Sequence, residues 1–166
     1  WARKKGLPRA AGHAEGINSV RDVVEAAGEI DIDYLTLYTF SIENWHRPKT
    51  EVNALMTLLM QTIKKEINNL HKNNVRLKVI GDMRNLPDKT RNSMQDGINK
   101  TSHNTGLTLV LALSYGGRDE IVRAVRHLAR QAAGGELDPE TISDASITMH
   151  LDTADIPDPD LVIRTS

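Results

Sequence analysis

Apolar positions along the chain switch repeatedly between a helical period and short dense runs, and the order of those switches predicts the architecture. Ile17, Val20, Val24 and Ala27 recur at helical spacing and predict an amphipathic helix from about His13 to Ile30. Leu35 to Phe40 reads as a strand. From Thr50 to about Lys72, Val52, Leu55, Met56, Leu59, Ile63, Ile67 and Leu70 form one long stripe, widened by Leu58 and Met60 beyond what a surface helix needs. Arg76 to Ile80 reads as a second strand closed by Gly81-Asp82, and Pro87 starts a polar helix that runs to about Asn104 and stops at Gly106. Leu107 to Leu113 is nearly continuous in apolar residues, as suits a central parallel strand covered on both faces. Ser114-Tyr115-Gly116-Gly117-Arg118 then turns the chain into a helix with Ile121, Val122, Val125, Leu128 and Ala129 inward, stopped by Gly134-Gly135. A short helix around Ala145 to Leu151 and a Pro-rich turn, Ile156-Pro157-Asp158-Pro159, lead into a strand over Leu161 to Thr165. Strands alternating with helices predict an α/β fold with a mostly parallel central sheet flanked by helices.

The length of 166 residues suits one domain, expected to span 1–166. A formal charge of -1 argues against a general polyanion binder, so no nucleic-acid partner is expected. Charge is uneven, however, since Arg3, Lys4, Lys5 and Arg9 precede the first acid, Glu15. The absence of cysteine excludes a disulfide framework and a thiolate zinc site. No apolar run approaches a membrane span and nothing resembles a signal peptide, so a cytoplasmic protein is the default. The chain starts at Trp1 rather than Met and stops just after a strand pattern, as expected of an internal fragment of a longer protein.

Candidate chemistry gathers where strands end. Tyr38-Thr39-Phe40-Ser41-Ile42-Glu43-Asn44-Trp45-His46-Arg47-Pro48 passes from a strand pattern straight to a hydroxyl, an amide, an indole and a guanidinium. Ligands of open α/β sheets bind beyond the carboxyl ends of strands. The plainer alternative is a connecting loop in which Trp45 caps the core and Asn44 makes a turn. Arg3, Lys4, Lys5, Arg9 and His13 run into the start of the first helix, where unpaired N–H groups favour a phosphate, although a basic tail would read the same. Arg164, at the end of the last strand pattern, would reach the same crevice. The glycines of Ser114-Tyr115-Gly116-Gly117-Arg118 fit neither a dinucleotide nor a Walker pattern and read as a tight strand-to-helix turn. Asp82 is either a strand-end ligand or a turn residue. No histidine has a partner at metal-ligand spacing and no Ser-His-Asp set is recognisable.

Taken in order, Trp1-Ala2-Arg3, Arg9-Ala10-x-Gly12-His13, Leu35-Thr36-Leu37-Tyr38-x-Phe40-Ser41-x-Glu43-Asn44-Trp45-x-Arg47-Pro48, Asn73-x-Val75-Arg76, Asn104-Thr105-Gly106-Leu107-Thr108-Leu109, Tyr115-Gly116-Gly117-Arg118 and Asp160-Leu161-Val162-Ile163-Arg164-Thr165 resemble the motif series of the cis-prenyltransferases, with the bacterial undecaprenyl diphosphate synthases the nearest match. The resemblance spans essentially the whole chain. It implies the cis-prenyltransferase fold and a Mg2+-dependent condensation of farnesyl diphosphate with successive isopentenyl diphosphates, making an undecaprenyl diphosphate-like carrier for cell-wall synthesis. A homodimer, with peripheral membrane contact through the lipid product, is implied too.

Residue by residue, the resemblance gives Arg9 and His13 the allylic diphosphate and Trp1 the closing of the phosphate-binding loop. Ser41, Ile42 and Glu43 match the substrate-contacting strand end, Trp45 and Arg47 lie near both substrates, and Arg164 matches an arginine for isopentenyl diphosphate. Asn44 matches the catalytic position often described as the proton acceptor. A neutral amide is a poor base, so Asn44 is expected to orient substrate or water while a diphosphate oxygen takes the proton. Leu55, Leu58, Leu59 and Ile63, with Leu107 on the neighbouring strand, are the candidate lining of a tunnel for the growing chain; periodicity alone would make them ordinary core. The family's Asp-Gly-Asn-Gly-Arg segment and its later arginine, serine and glutamate do not occur here, so the resemblance implies that the first and last strands of the fold and the Mg2+ ligands lie outside these residues, and the fragment alone is expected to be inactive and poorly folded. A noncatalytic partner subunit of a prenyltransferase complex would share the fold but lose active-site residues, whereas Arg9, His13, Asn44, Trp45 and Arg47 are present. A nucleotide-binding α/β protein is a third reading. Trans-type prenyltransferases rely on Asp-Asp-x-x-Asp, which does not occur.

Overall fold

Chain order in the first unit of the fold is α1 (Arg9–Glu29), β1 (Tyr34–Ser41), α2 (Lys49–Lys72), β2 (Arg76–Ile80), α3 (Asp88–Thr101) and β3 (Thr108–Tyr115), with 3-10 turns over Ile42–His46 and Met83–Asn85. The computed structural model describes residues 2–7 and 9–164, with the side chains of Arg3, Arg9 and Ala10 left aside. It divides into two units, Trp1–Tyr115 and Gly116–Ser166.

All strand pairing is parallel, in the order β1-β3-β2. β3 takes the centre because it alone is apolar on both faces; every residue from Thr108 to Ser114 is buried. Leu109, Leu111 and Leu113 share one face with Phe40, Leu77 and the inward residues Val52, Met56 and Ile63 of α2, and with Val24 and Ala27 of α1 they make the core. Proline lacks an N–H and is confined to a helix's start, so α2 begins directly after Pro48. Gly81 closes β2 at φ +104, where a Cβ would stand 2.1 Å from the carbonyl oxygen of Leu113.

The second unit carries α4 (Gly117–Ala133), a 3-10 turn over Pro139–Thr141 and α5 (Asp144–Thr148). Its inward residues on α4 are Glu120, Ala124 and Leu128. Ile121, Val122 and Val125, expected inward, are instead 52%, 44% and 52% exposed. The reason is polar: Glu120 Oε1 accepts from the Asp152 backbone N–H at 2.8 Å, and Arg123 grips the Asp152 carboxylate at 2.8 and 2.7 Å, which turns that face of α4 toward the 150–156 segment. The expected strand over Leu161 to Thr165 is also corrected. Leu161, Val162, Ile163 and Arg164 are irregular and exposed, and Thr165 lies outside the described residues. A strand exists only by pairing its N–H and C=O groups, and the described residues of this unit form no strand to pair with.

Candidate active site

Two register shifts at the carboxyl ends of β1 and β3 shape the site. Tyr38 pairs with Ala112, Phe40 with Leu113 and Ser41 with Tyr115, so Thr39 is extra on β1 and Ser114 is extra on β3. Bulges of this kind re-aim side chains at strand ends. Thr39 Oγ1 donates to the Ala112 carbonyl at 2.8 Å, and Phe40 is driven into the core at 4% exposure. Ser114 takes the left-handed conformation at φ 50, fully buried, although nothing in the sequence marks it. The strained position falls there and not on the following glycines: Gly116 is extended at φ -151, and a Cβ on Gly117 would meet nothing within 4 Å.

Ile42–His46, expected as an irregular loop, is a 3-10 turn. Ser41 N–H donates to Asn44 Oδ1 at 3.1 Å, so the amide oxygen is engaged by the backbone and the Nδ2 donors are the groups left to a ligand. An acceptor already used in this way suits Asn44 to orientation rather than to proton abstraction. Trp45 stands edge-on to Phe40, with ring centroids 5.0 Å apart, and its Nε1–H donates to Ser114 Oγ at 2.9 Å. Ser41 and Ile42 are half-buried and Glu43 is exposed; its own backbone N–H and then the Ser41 hydroxyl hold the Glu43 carboxyl below its usual range. Tyr38 Oη donates to the Tyr115 carbonyl at 3.1 Å, and burial pushes its phenol upward.

Arg47 ends the turn, and its Nη1 donates to Glu51 Oε1 at 3.0 Å. The same oxygen lies 3.8 Å from His13 Nε2, an atom that is buried and has no hydrogen-bond partner among the described residues. Because α1 begins at Arg9, His13 sits just past its first turn rather than at its N-terminus. Glu51, in the first turn of α2 where the helix dipole favours an anion, was not marked by sequence reasoning; an acid at the third position after Pro48 was the available signal. Trp1 lies outside the described residues, and of Arg9 only the backbone is described. Arg164 belongs to the other unit, exposed and off any strand. Asp82 proves to be a turn residue, accepting from Arg84 N, Nε and Nη2 at 3.0, 2.8 and 2.9 Å.

His13 also stands at the edge of a cleft of about 930 Å³ walled by α1, α2 and the sheet. Leu55, Leu58, Leu59 and Ile63 line it, facing Leu109, Leu111 and Leu113. Leu107 does not line it: one residue before β3 and 6% exposed, it is packed in the core. Among the described residues no three His, Asp or Glu side chains gather where they could hold a metal ion.

Residues 1–166 match the Prenyltransf family model of undecaprenyl diphosphate synthases. An isoprenyl transferase of Chlorobaculum tepidum is 51% identical over the whole chain, which covers 63% of that relative, and one of Brucella abortus is 51% identical with 65% covered. The chain thus spans about two thirds of the length of these curated relatives. Among solved structures, lavandulyl diphosphate synthase from Lavandula x intermedia in complex with dimethylallyl diphosphate superposes with a TM-score of 0.89 at 29% identity, covering 93% of this chain and 66% of that one. A probable undecaprenyl diphosphate synthase from Campylobacter jejuni gives 0.73 at 36% identity, covering 83% and 64%. With a three-stranded parallel sheet flanked by helices and a family match over its full length, this chain belongs to the undecaprenyl diphosphate synthase family of prenyltransferases.

Proposed function

We propose that the full-length protein condenses farnesyl diphosphate with successive isopentenyl diphosphates into a long cis-polyprenyl diphosphate of the undecaprenyl type, a lipid carrier for cell-wall synthesis. The observation that carries this reading is one residue in two environments. His13 borders a large apolar cleft and, through Glu51, neighbours the Arg47 guanidinium. A guanidinium and an imidazole beside a greasy channel suit a substrate with a diphosphate head and a hydrocarbon tail. The solved lavandulyl diphosphate synthase, similar in fold, is in complex with an allylic diphosphate.

In each cycle the allylic carbon–oxygen bond breaks, diphosphate leaves, the isopentenyl double bond attacks that carbon, and a proton is lost to restore a double bond. Arg9, His13 and Arg47 stabilise the charge developing on the departing allylic diphosphate, while Arg164 is assigned to hold the diphosphate of the isopentenyl partner, which stays bonded. Asn44 Nδ2 and Trp45 orient the reacting ends, and a diphosphate oxygen takes the proton. Each methylene buried along Leu55, Leu59 and Ile63 contributes about 0.8 kcal/mol, which keeps the lengthening tail in the cleft between cycles. Mg2+ held by ligands beyond these residues, a homodimer, and a cytoplasmic enzyme touching the membrane through its product complete the reading. No helix among the described residues is long and apolar enough to cross a membrane.

The test is incubation of the full-length protein with labelled isopentenyl diphosphate, farnesyl diphosphate and Mg2+, followed by sizing of the lipid. A ladder of extended products is expected. Absence of any elongated lipid overturns the reading.

A further inference from the structure

An ion pair joins the two helices that wall the cleft, about two helical turns along α1 from His13. Arg21 Nη2 of α1 meets Glu66 Oε1 of α2 at 2.6 Å, and Asn69 Nδ2 donates to the other Glu66 oxygen at 3.2 Å. All three residues line the cleft. The side chain of Glu66 is only 15% exposed, against 36% for Arg21, so the carboxylate is the sheltered partner. Eight residues separate His13 from Arg21 and fifteen separate Glu51 from Glu66, about 12 and 22 Å at the helical rise. Both advance in the same chain direction, with His13 beside Glu51 at one end of a greasy stretch and the Arg21–Glu66 ion pair at the other. Within that stretch stand Ile17, Val20, Leu55, Leu59 and Ile63. Beyond the pair, Glu25, Glu29, Lys72 and Asn73 enter the lining beside Val24 and Leu70.

We infer that Arg21 and Glu66 form a specificity-determining gate that limits how long a hydrocarbon tail the cleft accepts. This inference rests on the chain-elongating reading above. A tail running along the cleft from His13 toward Arg21 and Glu66 touches mostly apolar walls, with Thr62 among the few polar exceptions. One more isoprene unit must either part α1 from α2 or cover the pair, stripping water from two charges and offering them no polar partner in return. The growing chain therefore stalls or leaves when its end reaches Arg21 and Glu66. Neither residue touches the reacting atoms, so the pair governs product length and not the chemical step.

Full-length protein carrying Arg21→Leu with Glu66→Leu, incubated with labelled isopentenyl diphosphate, farnesyl diphosphate and Mg2+, is expected to shift its most abundant product upward by at least one isoprene unit. The charge swap Arg21→Glu with Glu66→Arg is expected to keep the wild-type length, a rescue that a merely structural role would not produce at one melting temperature. Should the leucine pair fail to fold, Arg21→Gln with Glu66→Gln, uncharged but similar in shape, is expected to lengthen products by a smaller step. An unchanged length distribution in folded, elongating uncharged variants overturns the gate alone, as does a swap that lengthens products as far as the leucine pair. A wild-type protein that elongates nothing overturns the functional reading and the gate with it.

Discussion

Arg47 and Glu51 are joined at 3.0 Å one helical turn apart, so a guanidinium assigned to a diphosphate already holds a carboxylate in place of its ligand. The same Glu51 oxygen faces His13 Nε2 at 3.8 Å, which brings His13 of α1 beside the first turn of α2 and the end of the 3-10 segment. A diphosphate arriving at Arg47 must compete with that carboxylate. Glu51→Gln in the full-length protein is therefore expected to bind inorganic pyrophosphate about tenfold more tightly, or about 1.4 kcal/mol, with the difference shrinking as salt screens it. Stability changes little, because an i,i+4 pair with a partly exposed arginine contributes about 0.3–0.5 kcal/mol. Calorimetric titration checks this. Weaker binding in the variant would make Glu51 an aligning partner for Arg47 instead of a competitor.

Ser114 combines two demands that conflict in most replacements. Its left-handed backbone at φ 50 favours glycine, while its Oγ accepts the Trp45 indole at 2.9 Å and stands 3.4 Å from Asn85 Nδ2. Alanine loses the hydrogen bonds and keeps the steric penalty; glycine loses the bonds and relieves the backbone. Ser114→Ala is expected to destabilise the full-length protein by about 1–3 kcal/mol, and Ser114→Gly by about 1 kcal/mol less. Denaturant titration ranks the two. Glycine costing more than alanine would mean that the backbone at Ser114 is not strained.

Glycines in this chain divide into those the backbone requires and those it does not. Gly81→Ala puts a methyl 2.1 Å from the Leu113 carbonyl oxygen at φ +104, so a loss of more than about 4 kcal/mol or failure to fold is expected. Gly117→Ala enters open space at the first position of α4 and is expected to leave the denaturation midpoint unchanged or slightly raised. If Gly117→Ala nonetheless lowers turnover, the bare backbone there serves the approach of substrate. A large stability loss at Gly117 would contradict the open geometry.

What the sequence revealed about the fold follows what is local. The stripe from Val52 to Leu70 and the apolar run ending at Leu113 are periodic signals, and they became α2 and the central strand with boundaries shifted by two residues or fewer. Where a distant polar partner takes part, periodicity misleads: Glu120 is buried with the Asp152 N–H reaching it from 32 positions away, and Ile121, Val122 and Val125 face outward. For the candidate site, the cluster from Ser41 to Arg47 was legible because its residue types are improbable in a plain connector. Glu51 and Ser114 were not. One is an ordinary acid on the polar side of a helix, and the other acquires its role from a register shift between strands that no local pattern encodes.

The pair between Arg21 and Glu66 also leaves a mark on acid stability. The Arg21 hydrogen bond, more than the opposing burial, holds the Glu66 carboxyl below its ordinary value of 4.5. A carboxyl with a lowered folded-state pKa stabilises the fold fully above its unfolded value, and that contribution fades as pH falls through the folded value. The unfolded chain takes up the proton first, so the loss begins near pH 4.5 and proceeds toward lower pH. Glu66→Gln cannot gain a proton, and its stability is therefore expected to fall less steeply than wild type over that acid range, while near neutrality the two curves run parallel with the variant lower. Thermal melts of the full-length protein between neutrality and the acid limit check this. Identical acid slopes would mean that Glu66 titrates as it does in the unfolded chain, so that Arg21 confers no preference for its charged form.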